Sequence, residues 1–124
     1  MPRLILALSW LIIISIAMLT PGNKLPDANY FDLQDKFIHF LCFSGLSFLW
    51  CGVGIKKSEL PLGKNRLILN FILFGLAAGI GLEYAQRFIP FRTFDFMDMI
   101  VNEIGGILGL LGYFKIPTTL IHLD

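Results

Sequence analysis

The chain has 124 residues, 56% hydrophobic and 15% charged, with a mean hydropathy of +0.73. A soluble domain carries roughly a quarter charged residues, so this composition excludes a domain wetted on all sides and indicates one integral membrane domain, 1–124. The net charge of +1 lacks the basic excess of a nucleic-acid-binding protein, and no nucleic-acid partner is expected.

Four apolar runs follow in order. The first, at about 4–20, follows Arg3 and is interrupted by Ser9 and Ser15. It exceeds the roughly 7–15-residue core of a secretory signal and approaches the roughly 20 residues that span a bilayer, so it reads as a retained helix. Pro21 and Gly22 end it, and a polar loop leads to the second run, about 35–55, with Asp35 placed to cap it. Gly52 and Gly54 loosen its far end. A basic connector holding Lys56, Lys57, Lys64 and Arg66 precedes the third helix, about 67–87. A turn with Pro90 leads to the fourth, about 96–115, which Pro117 ends. The expected fold is an all-α membrane protein, a compact bundle of four transmembrane helices.

Short loops rich in Lys and Arg stay cytoplasmic. The basic connector therefore predicts an N-in/C-in topology, with Arg3 and Lys115 on the same inner side. Three helix ends then meet at the outer face. They carry Asp35, Lys36 and His39; Glu83, Gln86 and Arg87; and Asp95, Asp98 and Asn102. The inner ends show no comparable group.

Asp35 and His39 stand four apart, as do Asp98 and Asn102, while Glu83 and Gln86 stand three apart, so each pair shares a helix face. Ionisable groups inside a span are costly and face protein or water. That rule singles out Glu83 and His39, with Asn102 a turn inside its own helix. Two chemistries fit. His39 with Glu83 or Asp98 makes a general acid–base pair, which leaves those three as catalytic candidates. Alternatively, Asp35, Lys36, His39, Glu83, Gln86, Arg92, Asp95, Asp98 and Asn102 line a ligand site, where Arg92 holds a phosphate or carboxylate in bidentate fashion. A metal set is imaginable from His39, Glu83, Asp98 and Asp35, but no paired-histidine spacing is present and no metal or other cofactor is assigned. The competing structural reading is a polar network that clamps helix ends together.

Cys42 and Cys51 lie about 13 Å apart along one helix, beyond disulfide reach, and read as packing residues, as do Ser44 and Ser47. Gly75-x-x-x-Gly79 and Gly105-x-x-x-Gly109 are small-residue faces on the last two helices and predict a tightly packed hairpin. Trp10, Trp50, Phe94, Phe96 and Tyr113 read as interfacial or packing aromatics.

Asp35-Lys36-x-x-His39-Phe40 resembles the opening signature of the VanZ-like membrane protein family. Glu83-x-x-Gln86, Pro90-x-Arg92 and Phe94-Asp95-x-x-Asp98-x-x-x-Asn102-x-x-Gly105-x-x-x-Gly109 resemble its closing signature, in the expected order over about 35–110. The resemblance implies a multi-pass protein of the bacterial cytoplasmic membrane in a family named for low-level resistance to the glycopeptide teicoplanin. The expected function is an envelope protein whose outward polar site binds a lipid-linked or headgroup-bearing ligand, such as an envelope lipid or cell-wall precursor. The alternative is a small membrane enzyme acting on such a lipid.

Overall fold

The computed structural model describes residues 2–20, 34–55, 60–90 and 95–115. The order of elements is α1 (Pro2–Leu19), α2 (Gln34–Cys51), α3 (Leu60–Asn70), a π-helical segment (Phe71–Ala77), α4 (Ala78–Ala85), a 3-10 turn (Gln86–Phe88) and α5 (Phe96–Lys115). From α3 to the 3-10 turn the chain forms one continuous rod, so the described residues form four helical rods. Among the described residues, three stretches are long and apolar enough to cross a membrane: Pro2–Leu19, Lys64–Phe88 and Phe96–Lys115. The apolar part of α2, Lys36–Cys51, is shorter.

Two expected boundaries move. The second helix stops at Cys51 rather than 55, because Gly52 opens a turn in which Gly54 adopts φ +77. The N–H of Val53 donates to Trp50 O at 3.1 Å and that of Ile55 to Gly52 O at 3.2 Å, closing the turn. The third rod begins at Leu60 rather than 67. Pro61 lies in the stretch expected to be connector, but in a first turn its missing N–H costs no helical bond.

The bundle is apolar on its outer surface, and polar side chains are buried within an otherwise apolar interior. Ile5 and Ile16 are 65% and 63% exposed, whereas Glu83 and Asn102 are fully buried. A lateral surface of Ile12, Ile68, Ile72, Ile104, Ile107 and Leu111 suits acyl chains. With little hydrophobic drive between helices in lipid, close packing and hydrogen bonds must hold the rods together.

Glycines supply the packing. A Cβ on Gly105 would sit 2.8 Å from Phe40 O, and one on Gly109 would collide with Ser44 O. The Gly105/Gly109 stripe therefore faces α2, and α2 and α5 run parallel in backbone contact. This corrects the expectation for the second stripe only. The hairpin is tight, as expected, through Gly75 and Gly79: Gly106 admits the Gly75 carbonyl, and Gly79 lies against Asn102 and Glu103.

Buried donors tie α1 to its neighbours. Trp10 Nε1 donates to Cys42 O at 2.9 Å, and Trp50 Nε1 to Ala7 O at 3.1 Å. The Trp50 ring also stacks on Phe74 at 3.8 Å. Gln86 Nε2 donates to Met18 O at 3.1 Å, anchoring the end of the third rod to the end of α1.

The expectation that only one end of the bundle is polar is also corrected. Arg3 is buried and donates from Nη1 to Phe48 O at 2.7 Å and Leu49 O at 3.0 Å. Those carbonyls belong to the last turn of α2, which is short of donors and carries the negative end of the dipole. The guanidinium also lies 5.4 Å from the Phe48 ring centroid and 5.2 Å from that of Tyr113. Gly52 is needed here, since a Cβ would meet Arg3 at 2.7 Å. In sequence Arg3 was merely a flanking charge; in the fold it clamps the end opposite the polar cluster.

Candidate functional site

Three helix ends build the cluster. Asp95 caps α5: its Oδ1 accepts the N–H of Met97 at 2.9 Å, and its own carbonyl accepts from Asp98 and Met99. Its Oδ2 accepts from Lys36 Nζ on α2 at 2.8 Å. The same ammonium donates to Asp98 Oδ1 at 2.7 Å, so Lys36 joins the start of α2 to the start of α5. Hydrogen bonding to Lys36, more than any other effect, holds the Asp95 carboxyl below its ordinary range.

One turn deeper, His39, Glu83, Asp98 and Asn102 are buried together. Asn102 Nδ2 donates to Gly79 O at 3.1 Å, which orients the amide and leaves Oδ1 to accept from His39 Nδ1 at 2.9 Å. Nδ1 therefore carries the proton, and in the neutral ring Nε2 is the lone-pair atom. Nε2 faces Asp98 Oδ2 at 3.9 Å, while Nδ1 lies 3.9 Å from Glu83 Oε2. Glu83 Oε1 accepts the backbone N–H of Asp95 at 3.2 Å, fixing the third rod to the cap of α5. One potential ligand atom from each of His39, Glu83 and Asp98 lies within 4.8 Å of the others.

Seven of the nine sequence-predicted residues can be placed. Lys36, His39, Glu83, Asp95, Asp98 and Asn102 meet in one network. Gln86 is buried, and its amide nitrogen turns to Met18 on α1. Arg92 and the side chain of Asp35 lie outside the described residues, as do Lys56, Lys57 and His122. The four residues of the imaginable metal set thus reduce to three that demonstrably converge.

Sequence reading missed Glu103. Its Oε1 is shielded from solvent, and the carboxylate lies beside Gly79. The signal was present: Glu103 is a carboxylate inside an apolar helix, the same rule that selected Glu83. Its position next to Asn102 hid it, because adjacent helical residues do not share a face.

The arrangement can shuttle a proton, hold a cation, or fix a headgroup at the membrane boundary. Asn102 orients the imidazole and Lys36 orients Asp98.

A family model described as VanZ/LLP1 matches residues 4–120. An uncharacterised protein of Schizosaccharomyces pombe is 32% identical over 80 residues, which is 64% of this chain and 46% of that protein. The chain therefore spans about half the length of the curated relative it matches. No solved structure matches it.

Proposed function

The chain belongs to the VanZ/LLP1 family, and from that premise we propose that it is a multi-pass protein of the bacterial cytoplasmic membrane that binds the phosphate-bearing headgroup of an envelope lipid. The observation that carries this reading is the polar network at one bundle end, from Lys36 and Asp95 inward to His39, Glu83, Asp98 and Asn102. An apolar flank for acyl chains and a polar end at headgroup depth suit an amphiphile better than a water-soluble ligand. Lys36 and Arg92 supply the donors that a phosphate oxygen takes.

The same reading has the site facing outward. The basic connector leads into the opposite end of the bundle, and the positive-inside rule keeps such loops in the cytoplasm. A reporter enzyme inserted near residue 60 should be active only in the cytoplasm; activity outside reverses the orientation. The relative from a fission yeast favours a phospholipid over a cell-wall precursor, since a glycerophosphate headgroup is common to both membranes. Any part in glycopeptide resistance would then be an effect on envelope lipids rather than on the drug.

The test is native mass spectrometry of the purified protein from lipid mixtures, with Arg92→Ala and Lys36→Met. Selective retention of phosphate-bearing lipid, lost in the variants, supports the reading. Retention of a cell-wall precursor instead, or equal retention by folded variants, refutes it.

One observation favours a second reading, a membrane enzyme. Asn102 fixes the His39 tautomer so that the lone pair on Nε2 faces the Asp98 carboxylate. A neutral imidazole held in one tautomer can accept a proton in general-base chemistry. Turnover of a bound lipid that vanishes in folded His39→Ala, with lipid retention unchanged, would establish it.

A further inference from the structure

We propose that the third rod is a jointed latch: its π-helical segment holds one surplus residue, and freeing Asn70 lets the rod anneal to α-helix and turn α3 away from α2. The polar cluster stays assembled throughout. The latch is independent of what that cluster binds.

The register of the rod shows in its buried residues. From residue 64 onward these are Leu67, Asn70, Gly75, Gly79, Glu83 and Gln86, at steps of three, five, four, four and three. Steps of three and four keep to one face of an α-helix, but a step of five lands about 140° away. The step of five falls at Phe71–Ala77, where the winding is i→i+5 and the N–H of Ala78 donates to Leu73 O. That wider turn brings Gly75 back under Asn70. An α-helix joining the same two faces needs one residue fewer.

Anchors at both ends hold the surplus in place. On the cluster side, Gly106 admits the Gly75 carbonyl, Glu83 Oε1 accepts the N–H of Asp95 at 3.2 Å, and Gln86 Nε2 donates to Met18 O at 3.1 Å. At the opposite end, Asn70 Nδ2 donates to Val53 O at 2.9 Å, in the turn that follows α2. The Arg66 guanidinium stands over the same turn, 3.5 Å from where a Cβ on Gly54 would lie. α3 thus closes over the end of α2 through one buried amide and one cation.

The two ends do not yield equally. If the rod annealed with α3 fixed, Phe74 would take the place of Gly75, Ala78 that of Gly79, and Leu82 that of Glu83. Neither glycine site has room: a Cβ meets Ser47 Oγ at 3.0 Å at the first and Asn102 Cβ at 2.9 Å at the second. With α4 fixed instead, α3 turns by about 100°. Phe71 then takes the place of Asn70, and Ile68 that of Leu67. No glycine contact is disturbed, and the bond from Asn70 to the α2 turn is what opposes the change. α3 is therefore the moving part, and its turn carries Asn70 and Arg66 off the end of α2. Short π-helical segments inside α-helices recur at functional sites.

The test uses the full chain in lipid bilayers, with solid-state NMR reporting which carbonyl receives the Ala78 amide. In the wild type it should be Leu73; Phe74 there overturns the joint, whatever the variants do. Asn70→Leu and Asn70→Ser should each move the amide to Phe74 while the His39–Asn102 contact persists. An amide that stays on Leu73 in either folded variant, or a cluster that comes apart when it moves, overturns the latch. Deleting Ile72, which is 49% exposed, removes the surplus residue outright. That variant should place Ala78 on Phe74, keep Asn70 on Val53, and unfold in micelles at a midpoint equal to the wild type or higher. Deleting Ile107, exposed to 48%, is the control, because it turns Gly109 away from α2. It should lower the midpoint steeply or abolish folding. Equal effects of the two deletions overturn the surplus residue.

Discussion

Replacing Gly109 by alanine adds one methyl group at the place where two backbones touch. The new Cβ would collide with Ser44 O and lie 2.7 Å from Ser47 Cβ and 2.9 Å from Phe48 N. Two of those atoms belong to the α2 backbone and cannot rotate away, so α5 must withdraw by about 1 Å to restore ordinary contact distances of roughly 3.5–4.0 Å. Overpacking of this kind costs typically about 1–3 kcal/mol. Against it stands the helix preference of alanine over glycine, about 1 kcal/mol. The net expectation is destabilisation of roughly 0–2 kcal/mol. Gly81 supplies the matched control, because a Cβ there meets nothing within 4 Å. Gly81→Ala gains the propensity alone and should be as stable as wild type or up to about 1 kcal/mol more stable. Reversible unfolding in mixed micelles reports both, followed by the fluorescence of the two tryptophans, one of which stacks on Phe74. If Gly109→Ala proves as stable as Gly81→Ala, the parallel α2–α5 contact is wrong.

Other consequences are open to the same measurement. Arg3→Ala should cost about 2–3 kcal/mol, because two charge-assisted bonds to the α2 terminus disappear and the last carbonyls lose their donor; an unchanged midpoint counts against the clamp. Asn102→Ala should cost about 1–3 kcal/mol, since the His39 N–H loses its acceptor in a buried setting; a loss below about 0.5 kcal/mol would match the weakest membrane hydrogen bonds and remove its orienting role. For Asp95 the folded carboxyl titrates below its unfolded value, so its contribution is complete above about pH 4 and is lost as pH falls from there through the lower folded value. Unfolding midpoints should therefore drop below pH 4 in the wild type, and Asp95→Asn should remove part of that drop; identical acid profiles for the two proteins refute the Lys36–Asp95 link.

How far the sequence carried the fold is clearest at the rods. Four apolar runs, punctuated by proline, glycine and charge, are enough to determine an all-α membrane bundle, because in lipid a helix is the structure that satisfies its own backbone. Periodicity also determined which polar residues share a face, and intramembrane cost picked out His39 and Glu83. Local signals failed where a neighbour decides the outcome. Pro61 fell within the expected connector before residue 67 and sits in a helical first turn. Arg3 was a topological marker and became a buried clamp, because the α2 terminus arrives beside it with open carbonyls.

Which surfaces meet was legible only in part: Gly75 and Gly79 pointed to the hairpin, but the partner of the second stripe was not legible. A small-residue stripe permits close approach but does not name its partner; Gly105 and Gly109 serve α2, while Gly106, outside the spaced pattern, admits the third rod. The candidate site has the same history. Its residue types and its place at one helix end were legible in the chain, since charge cannot lie deep in lipid without a reason. That His39, Glu83 and Asp98 converge within 4.8 Å, with Asn102 aiming the imidazole, was decided only by the crossing of three rods. Interatomic distance between separate helices is a property of packing, and no spacing along one helix encodes it.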